Sequence, residues 1–253
     1  MDMFDLSGRT AIVTGGNQGI GFAIARGLAR AGASVVIANR RAEEGRKAAG
    51  SLRAEGLTAA AIPADASSRS SVEALVKQTI SDLGKIDILV TSAGAIVRKP
   101  VEEISEEEWD KVMDTNLKGV FLCCQLAGRH MIQRRKGKII NISSDIATTL
   151  QPLRSVYATS KAGVSHLTRA FALEWAKYNV NVNAIGPGPT ITGFNKKYFE
   201  EHPDDLQLRI NSIPMGRMGD PTDYVGAAIF LASDASDFVT GQTLTVSGGS
   251  TLW

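Results

Sequence analysis

Cysteine is nearly absent from this chain: Cys123 and Cys124 are the only two in 253 residues, and they are adjacent. Neighbouring cysteines rarely bridge, and two are too few for a disulfide framework, so a reducing compartment, the cytoplasm, is expected. An excess of one charge is also missing. A net charge of +2 gives no electrostatic reason to expect nucleic acid as a partner. No apolar run approaches the roughly 18–20 residues needed to span a bilayer. The start, Met1-Asp2-Met3-Phe4-Asp5, has neither the basic region nor the apolar stretch of a secretory signal, so no membrane partner is expected. Internal repeats, low-complexity tracts and Pro/Gly/Ser-rich linkers are lacking too. Residues 1–253 therefore read as one domain, and no metal site is expected.

What the chain does have is alternation. Short apolar runs at Thr10–Thr14, Ser34–Ala38, Leu57–Pro63, Ile86–Thr91, Lys138–Ile142, Val180–Ile185 and Thr243–Val246 are separated by helical patterns. These patterns start near Gly19, Arg41, Ser70, Glu106, Ser155 and Pro221. The strands are continuous Val/Ile runs, as a parallel sheet covered on both faces requires. The predicted fold is α/β, a Rossmann-type doubly wound parallel sheet with helices on both faces. The stretch 187–219 is the least regular, with Pro187, Pro189, Pro203 and Pro214 around a short helix predicted near Phe194–Glu201. Long irregular segments in compact domains usually serve as lids or binding loops, and a substrate lid is expected here.

The first strand runs into Thr14-Gly15-Gly16-Asn17-Gln18-Gly19-Ile20-Gly21. Glycines at this junction permit a tight turn and close approach of the backbone to a pyrophosphate, which the following helix N-terminus would hold. A glycine triplet alone is a weak signal; its position at the first strand–helix junction strengthens it. At the end of the second strand, a carboxylate would bond the ribose 2′-hydroxyl of NAD, whereas an arginine would accommodate the 2′-phosphate of NADP. This chain has Asn39 and Arg40 there, so NADP(H) is expected ahead of NAD(H).

Tyr157 and Lys161 open a helix four residues apart, on one face. A nearby ammonium is expected to lower the tyrosine pKa and make it a general acid or base. Ser144, thirteen residues before Tyr157, ends the fifth strand, where ligands sit in open α/β sheets and a hydroxyl can donate to an oxyanion. Ser143 is in the wrong register and reads as a turn residue.

These marks together resemble the short-chain dehydrogenase/reductase family, and the resemblance runs end to end. It rests on Thr14-Gly-x-x-x-Gly-x-Gly21, Asp65, Ala93-Gly94, Asn116, Ser144, Tyr157-x-x-x-Lys161, and Pro187-Gly188 with Thr192. The sugar-acid branch, which includes gluconate 5-dehydrogenases, is the most similar. The resemblance implies hydride transfer between a nicotinamide cofactor and a ketone or secondary alcohol. It gives Tyr157 the proton, Lys161 the tuning of that tyrosine and a ribose contact, Ser144 the substrate carbonyl, and Asn116 a relay water. Asp65 would meet the adenine amino group, and Ala66 is an expected cofactor contact. Thr192 would contact the pyrophosphate or carboxamide, and Thr190 is an expected cofactor contact. The chain departs from the pattern at Thr91-Ser92, where the family usually has two asparagines, and at Ser247.

The expected substrate walls contain Arg98, Asp145, Gln151, Arg154, Asn195, Lys196 and Lys197. This polar, partly cationic set suits a sugar acid, polyol or other small polar molecule, and Arg98, Gln151 and Arg154 are the expected contacts. Two other readings stand beside this one. A 3-oxoacyl thioester reductase would use a basic patch of Arg129, Arg134, Arg135, Lys136 and Lys138 to dock an acidic carrier. A cofactor-sensing binding protein would show no turnover. Apolar helices at Trp109–Arg134 and Ser155–Tyr178, with the terminal Trp253, suggest a homotetramer or homodimer.

Overall fold

The computed structural model describes residues 2–193 and 195–252. Among them, seven strands form one parallel sheet: β1 (Thr10–Thr14), β2 (Ser34–Asn39), β3 (Ala59–Pro63), β4 (Ile88–Thr91), β5 (Gly137–Ile142), β6 (Val180–Pro187) and β7 (Thr243–Val246). The strand order is β3-β2-β1-β4-β5-β6-β7. Connections move outward from β1 to β3, then return to lay β4 against the other side of β1. That reversal leaves a crevice at the carboxyl ends of β1 and β4, where open α/β sheets bind ligands.

The helices are α1 (Gly19–Arg30), α2 (Ala42–Ala54), α3 (Arg69–Leu83), α4 (Glu106–Met113), α5 (Gly119–Arg134), α6 (Ser155–Trp175), α7 (Lys196–Glu201), α8 (Pro203–Asn211) and α9 (Val225–Ala232). Two cores lie on opposite faces of the sheet. Ala11, Val13, Val35 and Ile37 meet Ile24, Leu28, Leu52 and Leu231 on one side. Ile12, Val36 and Leu89 meet Val72, Leu75, Val120 and Trp175 on the other. Successive strand residues point to opposite faces, and both faces are covered, so the strands must be apolar throughout.

The boundaries differ from expectation where polar side chains intervene. β4 starts at Ile88 because Asp87 turns its carboxylate to the Thr10 amide (2.9 Å) and to Arg134 (2.9 Å). β3 starts at Ala59, two residues later than predicted. The long helix predicted over Trp109–Arg134 is interrupted by a π-helical turn, Asp114–Lys118. The irregular stretch after β6 contains α8 as well as α7; the start of the predicted helix, Phe194, lies outside the described residues, as does Trp253.

Candidate active site

A cleft of about 800 Å³ runs along the carboxyl edge of the sheet. One end is lined by Thr14, Gly15, Asn17, Gln18, Gly19, Ile20 and Gly21, with Asn39, Arg40, Asp65, Ala66, Ala93 and Gly94. The other end is lined by Ser144, Gln151, Arg154, Tyr157, Lys161 and Arg98, with Pro187, Gly188, Thr190 and Thr192 along the far wall.

The glycine loop fits a dinucleotide. Gly15 has φ +67°, and a Cβ there would lie 2.8 Å from the Ala93 amide nitrogen. A Cβ on Gly21 would lie 2.5 Å from the Gly15 carbonyl oxygen. Gly19, φ +54°, faces only the Thr192 side chain at 3.7 Å, which leaves room above the helix start. The Gln18 side chain makes no cap to α1, so the first amides of the helix are available to an anion. Thr14 Oγ1 accepts from the Ser92 and Ala93 amides at 3.2 and 3.4 Å, tying the two strand ends together.

At the adenosine end, Asn39 is buried and donates its amide to the Arg41 carbonyl at 2.7 Å. Arg41 pairs with Glu44 at 2.7 Å, and Glu44 also accepts from Asn17 at 2.9 Å. Arg40 forms no ion pair among the described residues and is exposed to the cleft. One Asp65 oxygen accepts from the amide and hydroxyl of Ser67 at 2.9 and 2.7 Å, which leaves the other oxygen open.

Ser144, Tyr157 and Lys161 sit where β5 meets α6. Lys161 is buried and donates to the Ile142 carbonyl at 2.7 Å, with its Nζ 5.7 Å from the Tyr157 ring centre. Two further ammonium hydrogens remain for a ligand. Burial pushes Lys161 down to about 8. Burial also raises Tyr157 above the usual phenol value; Ser144 counters this, Asp145 adds to it, and Arg154 and Arg98 oppose it. Desolvation therefore opposes the expected lowering of Tyr157 by its lysine. Both groups are buried without an opposite charge in contact, and each is driven towards its neutral form.

Ser144 lies in the cleft, donating to Asp145 at 3.1 Å. Ser143 points the other way, to the Lys161 carbonyl at 3.0 Å and to Ser165 at 2.8 Å, so it ties β5 to α6. Asn116 does not reach the cleft. It is fully buried in the π-helical turn, accepts from the Ala95 amide at 2.7 Å, and donates to the Ala95 carbonyl (2.9 Å) and Ser160 (3.0 Å). Its side chain braces the loop after β4 against α6. Gln151 Oε1 is buried with no hydrogen-bond partner among the described residues, an acceptor awaiting a donor. Arg209, on α8, also lines the cleft and was not singled out from sequence. Asp205-x-x-x-Arg209 has the spacing of an ordinary surface ion pair, which concealed it.

A family model described as enoyl-(acyl carrier protein) reductase matches residues 15–251. The gluconate 5-dehydrogenase of Gluconobacter oxydans is 41% identical over 99% of this chain and 98% of its own length. The 3beta-hydroxysteroid dehydrogenase 1 of Eggerthella lenta is 42% identical over 98% of this chain and 96% of its own. A solved gluconate 5-dehydrogenase from Burkholderia cenocepacia, in complex with NADP and tartrate, superposes with a TM-score of 0.94 at 40% identity, covering 100% of this chain and 98% of that one.

The chain belongs to the short-chain dehydrogenase/reductase family, in the branch that holds the gluconate and sugar-acid dehydrogenases. It is an NAD(P)(H)-dependent oxidoreductase that interconverts a ketone and a secondary alcohol.

Proposed function

We propose that this enzyme acts on a sugar acid or closely related polyhydroxy acid, with NADP(H) preferred, and that Tyr157, Ser144 and Lys161 carry the proton chemistry. One observation supports the substrate class above the rest: the catalytic tyrosine opens onto a cleft end lined by Arg98, Arg154 and Gln151. Relatives of equal identity include a steroid enzyme, so identity alone does not select the substrate. Guanidinium groups and a bare amide acceptor suit carboxylate and hydroxyl, and suit a steroid skeleton poorly.

When bound, the cofactor supplies or removes the hydride. The rest falls to the protein. Arg40, Asn17 and the uncapped start of α1 hold the anionic parts of the dinucleotide. Lys161 offers its free N–H groups to the ribose side. In reduction, Tyr157 protonates the carbonyl oxygen as hydride reaches the carbon; its raised pKa keeps that proton in place at neutral pH. Ser144 fixes the oxygen beside it. Asn116 acts from behind the wall by holding Ala95. Residues 187–219 serve as the substrate lid.

NADP preference is supported by the absence of a carboxylate at the end of β2 and by the unpaired Arg40. Assembly into a homodimer or homotetramer is supported by apolar side chains left in solvent: Phe121 and Leu173 on α5 and α6, and Leu244 on the edge strand β7. The two buried free cysteines fit a cytoplasmic location.

The carrier-linked thioester reading loses support. Lys138 is buried against Asp237 at 2.8 Å, and Arg134 is held by Asp87. The remaining basic residues lie near the amino end of β5, opposite the cleft. The reading is tested with a deuterated nicotinamide cofactor and a keto sugar acid: deuterium should appear on the carbinol carbon of the product, and Tyr157→Phe should stop its appearance. Label absent from the product, or undiminished in the variant, would contradict it.

A further inference from the structure

Three guanidinium groups from distant parts of the chain line the substrate end of the cleft: Arg98 from the loop after β4, Arg154 just before α6, and Arg209 from α8. Each has a carboxylate or acidic neighbourhood within reach, and each neighbour is engaged elsewhere. Asp205 lies one helical turn before Arg209. On α7 the same spacing pairs Lys196 with Glu200 (3.9 Å) and Lys197 with Glu201 (3.7 Å). Asp205, however, is taken by the Tyr198 hydroxyl, so Arg209 is left to the cleft. Asp145 is near Arg154, but its oxygens receive the hydroxyls of Ser144 and Ser250 at 3.1 and 3.0 Å. Glu108 pairs with Lys99 at 2.6 Å, not with the adjacent Arg98. Among the described residues, none of the three arginines forms an ion pair.

Collecting like charges in one cavity is costly unless an anion offsets them. Arg154 carries the mark of that cost: burial, then the charges of Arg209 and Arg98, hold it below the usual arginine value. The mounting of Arg209 adds a second point. The chain leaves the body at Thr190 and is bound to it again at Met215, whose amide donates to the Gly248 carbonyl at 3.1 Å, and at Gly219, which pairs with Thr190. Ile191 donates to the Gly219 carbonyl at 3.0 Å, and Gly219 to the Pro189 carbonyl at 2.8 Å. The Thr190 hydroxyl is bonded to the buried Tyr224 beneath. The base is fixed, and α7 and α8 are carried above it. Arg98 and Arg154 belong to the body, and Arg209 to the flap.

We propose that Arg98, Arg154 and Arg209 form the subsite for the substrate's carboxylate, with Arg209 drawing α8 down onto an acid and not onto its neutral analogue. Gln151 then accepts from a hydroxyl of the same molecule. The assignment rests on the sugar-acid reading above and adds to it the residue that senses the charge.

The test compares oxidation of gluconate with that of gluconamide, its uncharged analogue, by the wild-type enzyme, Arg209→Met and Arg209→Lys. Loss of one charge-assisted contact should raise KM for gluconate about tenfold to a hundredfold in Arg209→Met. KM for gluconamide should stay within about twofold, and Arg209→Lys should recover part of the difference. Calorimetric titration of gluconate into the cofactor-saturated enzyme reads the same difference without turnover. Equal effects on acid and amide, or no effect on either, would overturn the role of Arg209 while leaving the sugar-acid reading intact. A wild-type enzyme that does not distinguish acid from amide, or binds neither, would overturn both.

Discussion

The Ser144 hydroxyl lies 3.1 Å from the buried carboxylate of Asp145 and donates to it, and the two residues act on Tyr157 in opposite senses: the serine favours its ionisation and the aspartate charge opposes it. Asp145 therefore opposes ionisation of Tyr157 through its own charge. Alcohol oxidation needs the ionised tyrosine, so its rate should climb with pH towards the raised tyrosine value, while carbonyl reduction stays flat through neutrality. Asp145→Asn should move the rising limb for oxidation about half a unit to one unit lower. A pH–kcat profile that does not move would show that Asp145 has no hold on the tyrosine.

Tyr157→Phe keeps the ring packed and removes only the hydroxyl. Turnover should fall by about a thousandfold or more, since general acid–base catalysis alone contributes about 10²–10⁴. Binding of the reduced cofactor, followed by fluorescence, should change little, because the glycine loop and α1 hold it. Near-full activity in the variant would remove Tyr157 from the chemistry.

Lys161 should destabilise the cofactor-free protein. Its folded pKa is about 8, against an ordinary value of 10.5. Below pH 8 the lysine is charged in both folded and unfolded chains, and the full cost of burial is present. Between about pH 8 and the ordinary lysine value the folded chain loses its proton first, so stability rises with pH. Lys161→Met should then raise stability near pH 7, by at most about 3 kcal/mol, with the gain shrinking at higher pH, while activity is lost. Thermal unfolding at several pH values tests this; a variant less stable at pH 7 would contradict it.

On the adenosine side, Glu44 places a carboxylate against Arg41 and Asn17. Glu44→Gln should tighten NADP(H) binding severalfold by removing repulsion of the 2′-phosphate, with little effect on NAD(H). Arg40→Ala should weaken NADP(H) selectively. Titrations with both cofactors decide the point, and equal effects on the two would place these residues outside the ribose contact.

Much of this was legible in the sequence, for physical reasons. A strand buried on both faces has to be apolar, so the seven strands stood out, and the order of glycine loop, Ser144, Tyr157 and Lys161 located the cleft. What escaped notice depends on partners distant in sequence. Arg209 reads as half of a surface pair until Tyr198 is seen to hold Asp205. Lys138 and Arg134 read as a basic patch until Asp237 and Asp87 appear against them. Asn116 sits at its family position, but only the fold shows its amide engaged with Ala95 and Ser160. Spacing brings Lys161 beside Tyr157 but says nothing of desolvation, which raises the tyrosine.

The most direct test of the account follows the near-ultraviolet absorbance of NADPH, and separately of NADH, with a panel of a keto sugar acid, a neutral diketone and a 3-oxoacyl thioester. Rapid loss of NADPH with the keto sugar acid, slower loss of NADH, and little response to the thioester are predicted. Consumption confined to the thioester, or to the neutral diketone, would contradict it.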